Sequence, residues 1–207
     1  MSLLETEFFK LCNKYSNNQG LIAELWLEIE KAHSAKNRHY HNLKHLAYML
    51  NLALEFKDKL QDFDAVLFSI FYHDFVYNVK RQDNEQKSAE VARDRLFQLN
   101  VPKDKIKTCQ NQIAATKAHE LSAHDDTNYL LDIDLAILGD SEENYKGYVS
   151  KVRKEYSIYP DFMYKMGRKK VLKHFLEMDR IFKTQEFHES HERLAKKNLS
   201  SELEKLK

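Results

Sequence analysis

Residues 68–77 read FSIFYHDFVY. They end a longer apolar stretch, residues 61–77, in which Val66, Leu67, Ile70, Phe71, Phe75 and Val76 predict one strongly buried helix. His73-Asp74 is out of character there. Burying an imidazole and a carboxylate is costly unless something satisfies both. A divalent metal does so, because neutral imidazole and carboxylate are both good ligands.

Helical periodicity runs outward from this stretch in both directions. Residues 3–15 form a short amphipathic helix closed by SNNQG. Leu21, Ile22, Leu25, Trp26 and Ile29 mark a second. After the polar KNRHYHN, a third carries Leu43, Leu46, Met49, Leu50 and Ala53. The polar NVKRQDNEQ follows residue 77, with Asp83 as N-cap of a helix carrying Ala89, Ala92, Leu96 and Leu99. Pro102 opens the next, through Ile106, Cys109 and Ile113. KAHELSAHDD reads as a loop, and NYLLDIDLAILG as a short buried helix stopped by Gly139. Residues 142–156, 164–180 and 186 to the C-terminus complete an all-α, single-domain bundle over residues 1–207.

Composition agrees. The 207 residues include only 4 Gly and 2 Pro, too few for the tight turns of a strand-rich fold. The formal net charge of +1 gives no bulk field for nucleic acid or an anionic membrane. No apolar run reaches spanning length, and the acidic N-terminus does not read as a signal peptide. Cys12 and Cys109 lie far apart without metal or redox spacing, so a cytoplasmic setting with free thiols is expected. Ten histidines are the one compositional sign of metal chemistry.

Three segments concentrate that chemistry. RHYHNLKH sets His41 and His45 four residues apart, on one face if helical. His73-Asp74 is the second. LLDIDLAIL places Asp132 and Asp134 among apolar residues. Two positions apart on a helix, they diverge, so only one reaches a given metal, and a distant Arg is the other possible partner.

The order His45, His73-Asp74, Asp134 resembles the HD-domain superfamily of metal-dependent phosphohydrolases, an HD-type helical bundle. YHNLKH is similar to the YHNxxH signature of its cyclic-nucleotide phosphodiesterases. HDFVY, DNEQKSA, IAATKAHE, DIDLAILG, RKEY, GRKKVLKHFL and ERLAKKNLSSEL resemble a small bacterial family of predicted HD phosphohydrolases, covering residues 38–203. The resemblance implies His45, His73, Asp74 and Asp134 as metal ligands and His41 as proton donor to the leaving oxygen. Asp134, leading DLAIL, matches the last ligand better than Asp132. The phosphodiesterases carry HDxxH, but Tyr77 stands at that last His. One metal site is therefore expected and a second left open.

Hydrolysis of a phosphate ester or anhydride in a small phosphorylated metabolite, such as a nucleotide, is the implied activity. The expected catalytic set is His41, Asp74 and Glu85, the last orienting a ligand or the water. Arg38, Lys117 and His119 are candidate substrate contacts. A solvated surface charge is the alternative for Arg38, Lys117 and Glu85. His119 is alternatively a further imidazole ligand or a loop histidine. Imidazole and carboxylate suit Mn, Fe, Co, Ni or Zn, with Mg serving in an open, water-rich site. A non-catalytic nucleotide-binding module and an HD-type di-iron oxygenase, drawing on His119 and His124, are the competing readings. Arg153, Glu155 and Arg168 fit an ion-pair network as well as a substrate site. The stripe Leu199, Leu203, Leu206 is expected to dock on the domain, leaving a monomer or homodimer.

Overall fold

The computed structural model describes residues 2–206. Ten α-helices and two short 3-10 turns account for its regular structure, with no strand among the described residues. The all-α expectation is met. In chain order the helices are α1 (Leu3–Cys12), α2 (Gln19–His33), α3 (Leu43–Glu55), α4 (Phe63–Tyr72), α5 (Asn84–Gln98), α6 (Lys103–Ala115), α7 (Asp125–Leu135), α8 (Glu142–Glu155), α9 (Asp161–Glu177) and α10 (Gln185–Lys205). Two compact units divide within α7, one running to Leu130 and the other starting at Leu131.

In the first unit α4 is the central element, touching α1, α3, α5 and α6. Its residues from Ala65 to Tyr72 are all buried, as a helix apolar on every side requires. Asp62 caps it by accepting from Ala65 N at 3.0 Å. Phe71 of α4 meets Phe8 of α1 edge to face, ring centroids 5.1 Å apart, and Phe8 also meets Trp26 of α2. The caps of α2 and α3 are Asn18, accepting from Leu21 N at 3.0 Å, and Asn42, accepting from Lys44 N at 2.9 Å.

A tight reversal joins α5 to α6. Asn100 takes a left-handed φ of 62°, and Val101 N donates back to Leu96 O at 3.0 Å. This is a Schellman-type stop with Asn in place of the usual Gly. Pro102 then starts α6. The buried Asp126 carboxylate accepts from Gln61 N and Asp62 N at 2.8 and 2.7 Å, tying the start of α7 to that of α4.

In the second unit a 3-10 turn, Ala136–Gly139, packs on α10. A Cβ on Gly139 would stand 2.5 Å from His191 Cβ, so the close approach needs glycine. Asn198 fixes the turn by donating to Leu138 O and Asp140 O at 2.9 and 3.0 Å. Arg168 donates to both oxygens of Glu202 at 2.8 and 2.9 Å, and the Tyr145 hydroxyl joins the same buried carboxylate. Arg153 donates to Asp161, Tyr156 O and Tyr159 O. Both arginines are thus held in networks of this unit. Leu199 is buried, with Leu203 and Leu206 half-buried.

Several expected boundaries shift. The helix expected over residues 61–77 is α4, which stops at Tyr72. Side chains take over the backbone beyond it: Val76 N donates to the Ser88 hydroxyl at 3.0 Å, and that hydroxyl donates to Val76 O at 3.3 Å. Asp83 does sit at the N-cap of α5, but its carboxylate pairs with Arg81 rather than capping. Asp161–Glu177 starts three residues earlier than the expected 164–180, because Pro160 sits at its N-cap.

Candidate metal centre

His73 is the residue at which α4 ends. Its N–H still donates to Ser69 O at 2.8 Å, and Phe75 N turns back to Tyr72 O at 3.1 Å. Beyond the last turn a helix leaves carbonyls without intrahelical donors. Arg38 supplies donors here: Nη1 reaches Asp74 O at 2.7 Å and Nη2 reaches Phe75 O at 2.9 Å. Nη1 also donates to His41 O at 3.2 Å. One buried guanidinium therefore binds the backbone of both segments that carry candidate ligands.

His45 enters from the first turn of α3 and is buried, as is His73. Ligating atoms of His45, His73 and Asp74 all lie within 4.8 Å of one another. Ligands sharing an ion at about 2.0–2.2 Å stand roughly 3–4 Å apart, so small rotamer changes would close this group on one ion.

The protonation pattern sharpens the fit. His73 Nδ1 lies 2.9 Å from Ile70 O. A carbonyl only accepts, so Nδ1 carries the hydrogen. In the neutral imidazole Nε2 then has only a lone pair, and it faces Asp74 Oδ2 at 3.1 Å. Lone pair against carboxylate is repulsive unless a cation lies between them. A proton would serve the pair alone. A metal serves the pair and His45 together, and the Nδ1–H to carbonyl contact is the usual orienting bond of a metal-bound histidine.

His41 precedes α3, on the residue before the Asn42 cap, so the helical-face argument for His41 and His45 does not apply. Their rings meet nonetheless, centroids 5.8 Å apart, because residues 39–42 turn tightly, with Asn42 Nδ2 donating to His39 O at 2.9 Å. Tyr77 stacks on His41 at 4.4 Å, and Tyr40 packs edge-on against it at 5.0 Å. The Arg38 guanidinium lies 5.3 Å from the Tyr77 ring centroid. The His45 and His73 rings are 5.4 Å apart.

The other candidates lie on other elements. Glu85 is half-buried on the first turn of α5, three residues before Ser88 and so on the face that meets Val76. Lys117 is exposed and donates to Gln82 O at 2.9 Å. His119 lies in the loop four residues beyond α6, half-buried and with a left-handed φ of 51°. His124 is exposed and lines a separate polar cavity with Asp62, Gln112 and Asp126. Asp134 is half-buried near the end of α7, in the second unit.

Asp132 has other employment. Fully buried, it accepts from Lys183 N, Thr184 N and the Thr184 hydroxyl, each at 2.7 Å. Burial raises its pKa while these donors act the other way. Ligating a metal would cost it these bonds.

One candidate has a structural task and one buried histidine escaped the sequence reading. Arg38 was a substrate candidate but spends its donors on backbone. His33 is buried and faces the same region: Arg38, Asp74 and His73 all act electrostatically upon it. Its signal was present, since His33 continues the buried stripe of Ile22, Trp26 and Ile29 along α2. No family model matches this sequence, and no curated protein and no solved structure matches it.

Proposed function

We propose that this chain is a metal-dependent phosphohydrolase of HD type, acting on a small phosphorylated metabolite such as a nucleotide. The observation that carries the metal is the convergence of ligating atoms of His45, His73 and Asp74 within 4.8 Å of one another. With Nδ1–H on Ile70 O, the buried His73 offers Nε2 beside the half-buried Asp74 carboxylate, and the buried His45 supplies a third donor. Asp134 is the proposed fourth ligand, by its place in the HD pattern and because Asp132 is already fully engaged. When bound, a divalent ion supplies charge neutralisation at the phosphoryl oxygens and acidifies a water from a pKa of about 15.7 towards neutrality.

The chain's own residues supply the rest. His41, wedged between Tyr40 and Tyr77, is held in a fixed orientation beside His45 and gives its proton to the leaving oxygen. Glu85 orients the attacking water or a ligand. Arg38 fixes the spacing of the ligand segments rather than touching substrate. His119 is the proposed phosphate contact. Lys117 adds positive charge at the rim.

The test is a panel of mono-, di- and cyclic phosphates with Mn- or Co-loaded protein. Turnover that falls at least about 100-fold in His41→Ala, with metal content retained, supports the assignment. A metal-loaded protein inert across the panel contradicts it. Thermal stabilisation by a nucleotide without turnover would move the reading to a non-catalytic binding module.

A further inference from the structure

Helix α9 buries little of itself. Within Asp161–Glu177 only Arg168 and Leu172 are buried, four residues apart on one face, and Arg168 reaches Glu202 of α10. The other side carries apolar residues that a surface helix ordinarily turns inward. Phe162 is 65% exposed, Met166 61% and Met163 47%, and Ile158, just before the helix, is 52% exposed. At about 100° per residue, Phe162, Met163 and Met166 cluster away from Arg168 and Leu172.

The same side turns basic one turn later. Lys169 and Lys170 follow Met166 by three and four residues, so Phe162, Met166, Lys170 and Lys173 form one stripe, with Lys165 beside it. None of these four lysines has an ion pair or a side-chain hydrogen bond among the described residues. The carboxylates of the helix are Asp161, already paired with Arg153 at 2.6 Å, and Glu177 in the last turn. The whole-chain charge of +1 therefore hides a local positive excess beside an exposed apolar cluster.

This face is complementary to a surface that is anionic outside and apolar beneath. A bilayer with anionic headgroups has that layering: apolar side chains enter the boundary of headgroups and acyl chains, and lysine stems keep their ammonium groups at the phosphates. A protein partner fits it less well, because lysine is depleted from protein interfaces. A second copy would set the same lysines against each other.

We propose that α9 docks this protein reversibly on an anionic membrane surface, with Ile158, Phe162, Met163 and Met166 entering the interface and Lys165, Lys169, Lys170 and Lys173 meeting lipid phosphates. No helix among the described residues is long and apolar enough to cross a membrane, so the contact is peripheral. It stands independently of the metal centre.

Co-sedimentation with vesicles of phosphatidylcholine, alone or with about 30% phosphatidylglycerol, tests it. The protein should bind the anionic vesicles at least about tenfold more tightly than the neutral ones, and raising salt from about 0.1 to about 0.5 M should weaken that binding. Phe162→Ser and the double variant Lys169→Glu, Lys170→Glu should each reduce it at least about tenfold. Circular dichroism melting should be little changed in both, since the side chains replaced make no buried contacts in the fold; if Phe162→Ser melts early, Met166→Ser takes its place. No binding to anionic vesicles overturns the proposal. Binding that survives the apolar variant unchanged reduces the contact to surface charge and overturns it as well. Self-association abolished by Phe162→Ser, without vesicle binding, would give the face to a second copy instead.

Discussion

Arg38 Nη1 donates to the backbone carbonyl of Asp74 at 2.7 Å, across 36 residues of chain. The same guanidinium holds Phe75 O and His41 O, so it sets the distance between the two ligand segments. Lysine keeps the charge but not the planar fork. Arg38→Lys should lose on the order of 1–3 kcal/mol of stability in urea unfolding and bind metal more weakly. An unchanged urea midpoint with a raised KM would instead make Arg38 a substrate contact.

Asp132 and Asp134 should separate cleanly. Asp132→Ala strips Lys183 N, Thr184 N and the Thr184 hydroxyl of their shared acceptor. It should cost on the order of 2–4 kcal/mol while the folded fraction keeps its metal. Asp134→Ala should do the reverse, with metal content falling and the melting temperature of metal-free protein little changed. Metal analysis and melting of the two variants side by side decide it.

Burial pushes the thiols of Cys12 and Cys109 each up to about 12. At about pH 8 almost no thiolate is present, and the thiolate is both the nucleophile and the ligand. The folded protein should leave a disulfide reagent unreacted at that pH, and both thiols should react in strong denaturant. Rapid labelling of the folded chain would show that the thiols are accessible.

Glu192 gives a pH signature. Its buried carboxylate accepts from Ile181 N and Phe182 N at 3.0 Å each, and Lys196 lies 2.9 Å away. Burial raises its pKa, but Phe182, Lys196 and Ile181 together bring it below the usual 4.5. A depressed carboxylate stabilises the fold above its unfolded pKa and loses that contribution as pH falls through the folded value. Glu192→Gln should therefore be less stable than the unaltered chain at pH 7 by about 1–2 kcal/mol, with the difference shrinking towards about pH 3. A difference that widens in acid would reverse the assignment.

Periodicity made the helices and the buried face of α4 legible, because repeated apolar spacing is a local property. His73-Asp74 stood out because its chemistry is incompatible with burial unless shared, and the resemblance to the HD pattern added His45 to it. The end of α4 was hidden, since a distant arginine and the Ser88 hydroxyl terminate it, not a local breaker. Sequence spacing brought His41 and His45 together for the wrong reason, as a tight turn and not a helix joins them. The resemblance preferred Asp134 to Asp132, but that Asp132 is engaged by Lys183 and Thr184 was hidden, because those donors lie about fifty residues away in sequence.

The most direct test of the central claim is metal content in the purified protein and in His73→Ala and Asp74→Ala variants. The unaltered chain should retain about one transition-metal ion per molecule after dialysis. Each variant should lose it while keeping its helical circular dichroism. Equal metal content in all three proteins, or none in the unaltered one after loading with Mn, Co or Zn, would contradict the account.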